Sequence, residues 1–235
     1  SIAPLEKARA LDPGKYGERA TLRLMLSHYQ MQDREATGRE AKTLGPEKAP
    51  AEVREWLGLS ALEANDYAAA AEFLAPLAAG DGASPELRMS LARAQLGAGQ
   101  NEAARATLDE LLPKTHEPRL KARAHLLMAD VLIALRDGAA AKAQAEEAQR
   151  LQPEGRFNAE ARLANGRALF AQDKFDDAAR AFMAVALLYD EKDLTPQALV
   201  LAEQAYRRAD NTADADRARE ELQRRYPDFK PPAAS

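Results

Sequence analysis

The chain has no cysteine, one tryptophan and only 6% aromatic residues in 235. Without cysteine there can be no disulfide, no thiolate nucleophile and no cysteine-built zinc site. The compartment stays open, because a cysteine-free chain suits either side of a membrane. Long apolar runs are also missing. The longest uncharged one, AFMAVALLY (181–189), is far short of the roughly 20 residues a bilayer span needs. Strand-like runs rich in Val, Ile and Thr do not occur. Charge of one sign does not accumulate: the formal net charge is −4, and residues 51–100, with three Lys/Arg against seven Asp/Glu, carry that whole excess. No clustered basic face exists of the kind that neutralises phosphates, so a nucleic-acid partner is not expected.

What is present is alanine, which supplies much of the 46% hydrophobic content. Alanine is the best helix former and loses no side-chain entropy. Its small side chain lets helices approach closely. The composition therefore predicts an all-α fold of tightly packed helices.

The chain repeats itself. DKFDDAARAFMAVALLYD (173–190) aligns with RDGAAAKAQAEEAQRLQP (136–153), with Ala178 over Ala141, Phe182 over Ala145 and Val185 over Ala148. Such self-similarity is sought first because it fixes the architecture. Units starting near Gly17, Ala51, Pro85, Ala122, Ala159 and Pro196 give spacings of 34, 34, 37, 37 and 37 residues. Each holds two helical patterns separated by a polar break: QDR (32–34), NDY (65–67), GQN (99–101), RDG (136–138), DKF (173–175) and DNT (210–212). Pro153 and Pro227 stand where second helices should stop.

Small residues recur a few positions after each break: Ala36, Ala70, Ala104, Ala141, Ala178 and Ala215. A second small site precedes the break in the best units, at Gly58, Ala92, Ala129 and Gly166. Two helices of one unit can touch closely where these face each other. Leu74 and Leu77, Leu108 and Leu111, and Phe182 and Val185 are expected to fill the space against the next unit. Departures are as definite. Leu24 and Glu203 replace the small residue in the first and last units, as terminal repeats often do. Arg162 and Asn165 take sites that are usually apolar and are expected to form a loosely packed, water-touched joint. Pro76 inside a second helix should kink it.

A 34-residue helix–turn–helix unit with Gly or Ala, then Tyr or Phe, then Ala and Pro resembles the tetratricopeptide repeat; WLGLSALEANDYAAAAEFLAPLA (56–78) carries the pattern. The resemblance covers residues 17–227, six times over, and implies a right-handed helical solenoid. Residues 1–13 look like the second helix of a preceding unit, and 228–235 read as a flexible tail. The chain begins at Ser1 rather than Met, as expected at a processing or cloning boundary, so a targeting segment would lie upstream. The last unit (196–229) is similar to terminal repeats of bacterial envelope proteins, which favours a bacterial periplasmic setting over the cytoplasm.

No chemistry is legible. His28, His116 and His125 lack metal-ligand spacing, and LGAGQNEAA (96–104) is a turn between helices rather than a phosphate loop. No nucleophile has a base near it in sequence pattern. Neither a catalytic residue nor a cofactor nor a metal is expected. The resemblance implies a non-catalytic interaction module that binds a protein or peptide in a concave groove lined by first helices. Groove candidates at matching register are Met25, Leu59, Arg93, Asp130, Arg167 and Gln204, with Glu55, Met89, Leu126 and Leu163 one turn earlier. Trp56 is a further candidate, weighed against sealing a joint between units. Arg93, Asp130 and Arg167 form a plus–minus–plus row that either reads a charged partner or, the favoured reading, pairs with itself as a salt-bridge ladder. Self-association through the groove or an end, or service as the regulatory arm of a larger protein, are the alternatives. No membrane insertion by this segment is expected.

Overall fold

A computed structural model describes residues 2–80 and 82–230. The expected tail therefore lies, from residue 231 on, outside the described residues. Among them are thirteen α-helices and no strand. The chain is an all-α helical solenoid built from helix–turn–helix units, and it divides into two compact parts, residues 1–107 and 108–235.

The first part contains α1 (Ile2–Leu11), α2 (Pro13–Gln30), α3 (Arg34–Leu44), α4 (Ala51–Glu63), α5 (Tyr67–Ala78) and α6 (Pro85–Gly97). The division falls inside α7 (Asn101–Leu111). The second part holds α8 (Pro118–Ala134), α9 (Gly138–Leu151), α10 (Gly155–Phe170), α11 (Phe175–Leu188), α12 (Leu194–Arg208) and α13 (Thr212–Arg225). Helices pack mainly on the next one in the chain; in addition α4 touches α6, α8 touches α10 and α10 touches α12. That neighbour-only pattern is what a solenoid is.

The six breaks fold identically, for a local reason. Gln32, Asn65, Gly99, Arg136, Asp173 and Asp210 all take left-handed backbone, with φ between 57° and 75°. The next residue's N–H then reaches back to close the helix: Asp33 to His28 O, Asp66 to Ala61 O, Gln100 to Gln95 O, Asp137 to Leu132 O, Lys174 to Leu169 O and Asn211 to Tyr206 O. This is the Schellman closure. In four of the six breaks that same residue caps the following helix, Asp33 to Ala36 N at 3.0 Å, Asp66 to Ala69 N at 3.3 Å, Asp137 to Ala140 N at 3.0 Å and Asn211 to Asp214 N at 3.3 Å. One dipeptide thus ends one helix and starts its partner, which is why the breaks recur at a fixed place.

Ala36, Ala70, Ala104, Ala141, Ala178 and Ala215 are all buried. So are Gly58, Ala92, Ala129 and Gly166. Beside the small residues, the two glycines each take a large side chain. A β-carbon on Gly58 would lie 2.5 Å from Leu74 Cδ2, and one on Gly166 would lie 2.4 Å from Phe182 Cε1. The glycine receives the large residue one turn beyond the small one, within its own unit. Phe182 and Val185 also join a cluster with Leu199 and Ala202 of α12, so they serve both joints. Leu24 is fully buried, and Glu203 is held by Arg207 at 2.9 Å. Pro76 does not end α5, which runs on to Ala78. It lies on the exposed face with Glu72, whose unbonded carbonyl can be met by water. Arg88, only 6% exposed, donates to Gly80 O at 2.8 Å and Ala78 O at 3.4 Å, satisfying the end of α5 with a cation.

Candidate partner-binding face

The groove candidates lie on the first helices α2, α4, α6, α8, α10 and α12. Two of them have no surface to offer: Met25 is fully buried, and Leu163 is 3% exposed. Both point into apolar clusters, Met25 with Val53, Leu57 and Phe73, and Leu163 with Ala198 and Leu199. Glu55, Leu59, Arg93 and Gln204 are exposed, while Met89, Leu126, Asp130 and Arg167 are half-buried.

In the first part, Leu59 and Arg93 come together. They line one hollow with Leu62, Glu63 and Asn65. Trp56 is half-buried and packs edge-on against Tyr29, ring centroids 5.2 Å apart at 74°, beside the Met25 cluster. It seals the joint between α2 and α4. The Tyr29 hydroxyl donates to Glu52 at 2.9 Å, and that bond to a carboxylate holds the phenol above its ordinary pKa.

In the second part, Asp130 of α8 accepts from Arg167 of α10 at 2.9 Å. Arg93, in the first part, makes no ion pair among the described residues. Enclosure between helices pushes the Asp130 carboxyl above the usual range, and the Arg167 charge opposes that. A raised pKa means the folded chain pays for ionising Asp130. That penalty is absent below the unfolded carboxylate's range and appears as pH rises through the folded value. Arg167→Ala should therefore push Asp130 higher still, read by carboxyl-carbon NMR titration. It should cost about 1 kcal/mol or less at neutral pH, because the two side chains are a third exposed and water screens them. The cost should shrink as the solution is acidified; a loss that stays constant with pH would refute the coupling.

A polar hub that the sequence reading missed joins α9, α10 and α12. Asn158, 4% exposed, donates to the Pro153 carbonyl and accepts from Arg162 Nε and the Tyr189 hydroxyl, both at 2.8 Å. Thr195, fully buried, donates to Tyr189 O at 2.9 Å and accepts from Glu191 N at 3.0 Å. Arg162, half-buried and still reaching some water, is thus a member of a bonded network rather than of a loosely packed joint. The legible signal was the Asn158–Arg162 spacing of one helical turn. Asn165 keeps a buried Oδ1 without a partner. His125 places Nδ1 2.6 Å from Gln144 Oε1, while its buried Nε2 has no hydrogen-bond partner among the described residues. Among the described residues no three His, Asp or Glu side chains gather as metal ligands, and no helix is long and apolar enough to cross a membrane. The faces offer apolar surface, hydrogen-bonding groups and charge.

Residues 61–130 match the family model described as Tetratricopeptide repeat. No curated protein sequence matches the chain. Among solved structures, a tetratricopeptide repeat protein from Parabacteroides merdae is 14% identical with TM-score 0.65, the match covering 91% of this chain and 80% of that one. A thermophilic TPR protein in Thermus thermophilus is 18% identical with TM-score 0.60, covering 76% and 93% respectively. Pseudomonas aeruginosa pilF is 19% identical with TM-score 0.56, covering 90% and 93%. At these identities the likeness is one of fold.

Proposed function

We propose that this chain is a tetratricopeptide-repeat protein and a non-catalytic scaffold holding a partner peptide or helix along the face of its first helices. Proteins of this family mediate protein–protein interactions, and the reading takes residues 17–227 as one array with 1–13 belonging to a preceding repeat. The observation that carries it is the meeting of side chains at matching register on successive first helices, Leu59 with Arg93 in a hollow and Asp130 with Arg167 in a pair. A surface preformed in this way loses little ordering entropy on binding. The bacterial envelope setting suggested by the last unit belongs to the same proposal.

A photo-crosslinking amino acid at Leu59, compared with one at the exposed Ala75 of the second helix α5, tests the reading. Partner adducts are expected from position 59 and not from 75. Adducts from 75 alone would place the interaction on the opposite face.

A second reading, self-association, is favoured by the adjacent Leu187 and Leu188 at the end of α11, 73% and 65% exposed. Light scattering separates the two, since self-assembly requires a mass well above 25.6 kDa without any partner.

A further inference from the structure

The two parts of the chain use their first-helix polar groups differently. In the second part most of the charged groups on this face are already engaged. Asp130 holds Arg167, Arg207 holds Glu203 at 2.9 Å and Asp216 at 3.3 Å, and the Arg208 guanidinium lies over the Phe170 and Phe175 rings at 5.8 and 4.6 Å. Arg93 in the first part is exposed, and its side chain makes no ion pair or hydrogen bond among the described residues. It faces the hollow formed with Leu59, Leu62, Glu63 and Asn65. Asn65 is fixed there twice over. Its backbone is left-handed, φ 58°, and its Oδ1 accepts from the Tyr67 hydroxyl at 2.7 Å, which leaves the amide nitrogen as its free end.

We propose that this hollow is a subsite for one acidic side chain adjacent to an aliphatic one in a partner segment. The inference rests on the first-helix face being the binding surface. The chemistry follows from what is unspent. A guanidinium and an amide N–H₂ are donors without acceptors, and a carboxylate is the group that satisfies both with charge-assisted bonds. Leu59, 37% exposed, and the half-buried Leu62 offer apolar surface to the neighbouring aliphatic chain and thin the water around the ion pair. Glu63 on the rim sets the limit. A run of acidic residues would meet it as a like charge, so a single acid is preferred over a polyacidic tract.

The test uses the full chain and two labelled, N-acetylated, C-amidated peptides, one repeating Leu-Glu-Gly-Ser and one repeating Leu-Lys-Gly-Ser. Anisotropy should show binding of the acidic peptide, with the lysine version about tenfold weaker or worse. Arg93→Ala should weaken the acidic peptide about tenfold and flatten its salt dependence, while Arg93→Lys, which keeps charge but not the fork, retains part of the affinity. The melting temperature should not move, since Arg93 is exposed and unbonded. If the acidic peptide fails to bind, or binds Arg93→Ala as well as the parent, the subsite is overturned. Partner crosslinking from Leu59 and Ala75 then distinguishes the two failures: adducts from Leu59 would leave the first-helix reading standing, and adducts from Ala75 alone would overturn both.

Discussion

Phe182→Ala is expected to cost about 3–5 kcal/mol of folding stability, the usual range for emptying a fully buried phenylalanine site. Phe182 is 0% exposed and lies over Gly166, where no side chain intervenes. The sharper test is the cycle with Gly166→Ala. Alone, that substitution gains helix propensity worth roughly 1 kcal/mol. It also drives a methyl to 2.4 Å from the Phe182 ring, and overpacking of this kind costs about 1–3 kcal/mol, so the net effect should be a loss. Once Phe182 is alanine the ring is gone, and Gly166→Ala should turn stabilising. Gly17→Ala, in α2 with nothing within 4 Å, is the control and should stabilise by about 0.5–1 kcal/mol. Chemical denaturation of the four combinations gives the coupling, and an unchanged Gly166→Ala effect in both backgrounds would show that the two residues do not share this space.

Asn158→Leu should cost about 2–3 kcal/mol, although leucine is apolar and the site is buried. Its removal leaves the Pro153 carbonyl without its donor, and Arg162 and Tyr189 without their acceptor. Buried groups stripped of partners cost about 1–3 kcal/mol each, reduced here because Arg162 and Tyr189 are half-buried and reach some water. The hub matters because it ties the end of α9 to the loop that enters α12. Tyr189→Phe should cost about 1 kcal/mol in the parent, the worth of one hydrogen bond, and nearly nothing after Asn158→Leu. Additive losses in denaturation would mean that the hydroxyl does not spend itself on Asn158.

Six helix–turn–helix units were legible because their cause is local. A left-handed residue followed by a capping Asp or Asn closes one helix and opens the next within a few residues, so QDR, NDY, RDG and DNT announce their own structure. GQN and DKF do the same closure without an acidic cap side chain, which is why spacing rather than composition located them. Small residues at the close contacts were legible for a steric reason, since nothing larger fits where helices touch. Which residue sits opposite each one was not. Gly58 meets Leu74 as well as the backbone of Ala70, and Gly166 meets Phe182, because the large partner is chosen by the crossing of two helices and not by either sequence alone.

The candidate face divided along the same line. Register along a helix is periodic, so the sequence could name Met25, Leu59, Arg93, Asp130, Arg167 and Gln204 as equivalents, with Leu163 among those one turn earlier. Equivalence ended at the neighbours. Met25 and Leu163 were taken into the core, Arg167 found Asp130, and Arg93 was left beside Leu59 with its charge unspent. Sequence by itself determined the all-α class, the repeat and the turns, because each depends on residues a few positions apart. Burial, pairing and free charge were decided only in the tertiary structure, because each depends on what a second helix brings within a few ångströms.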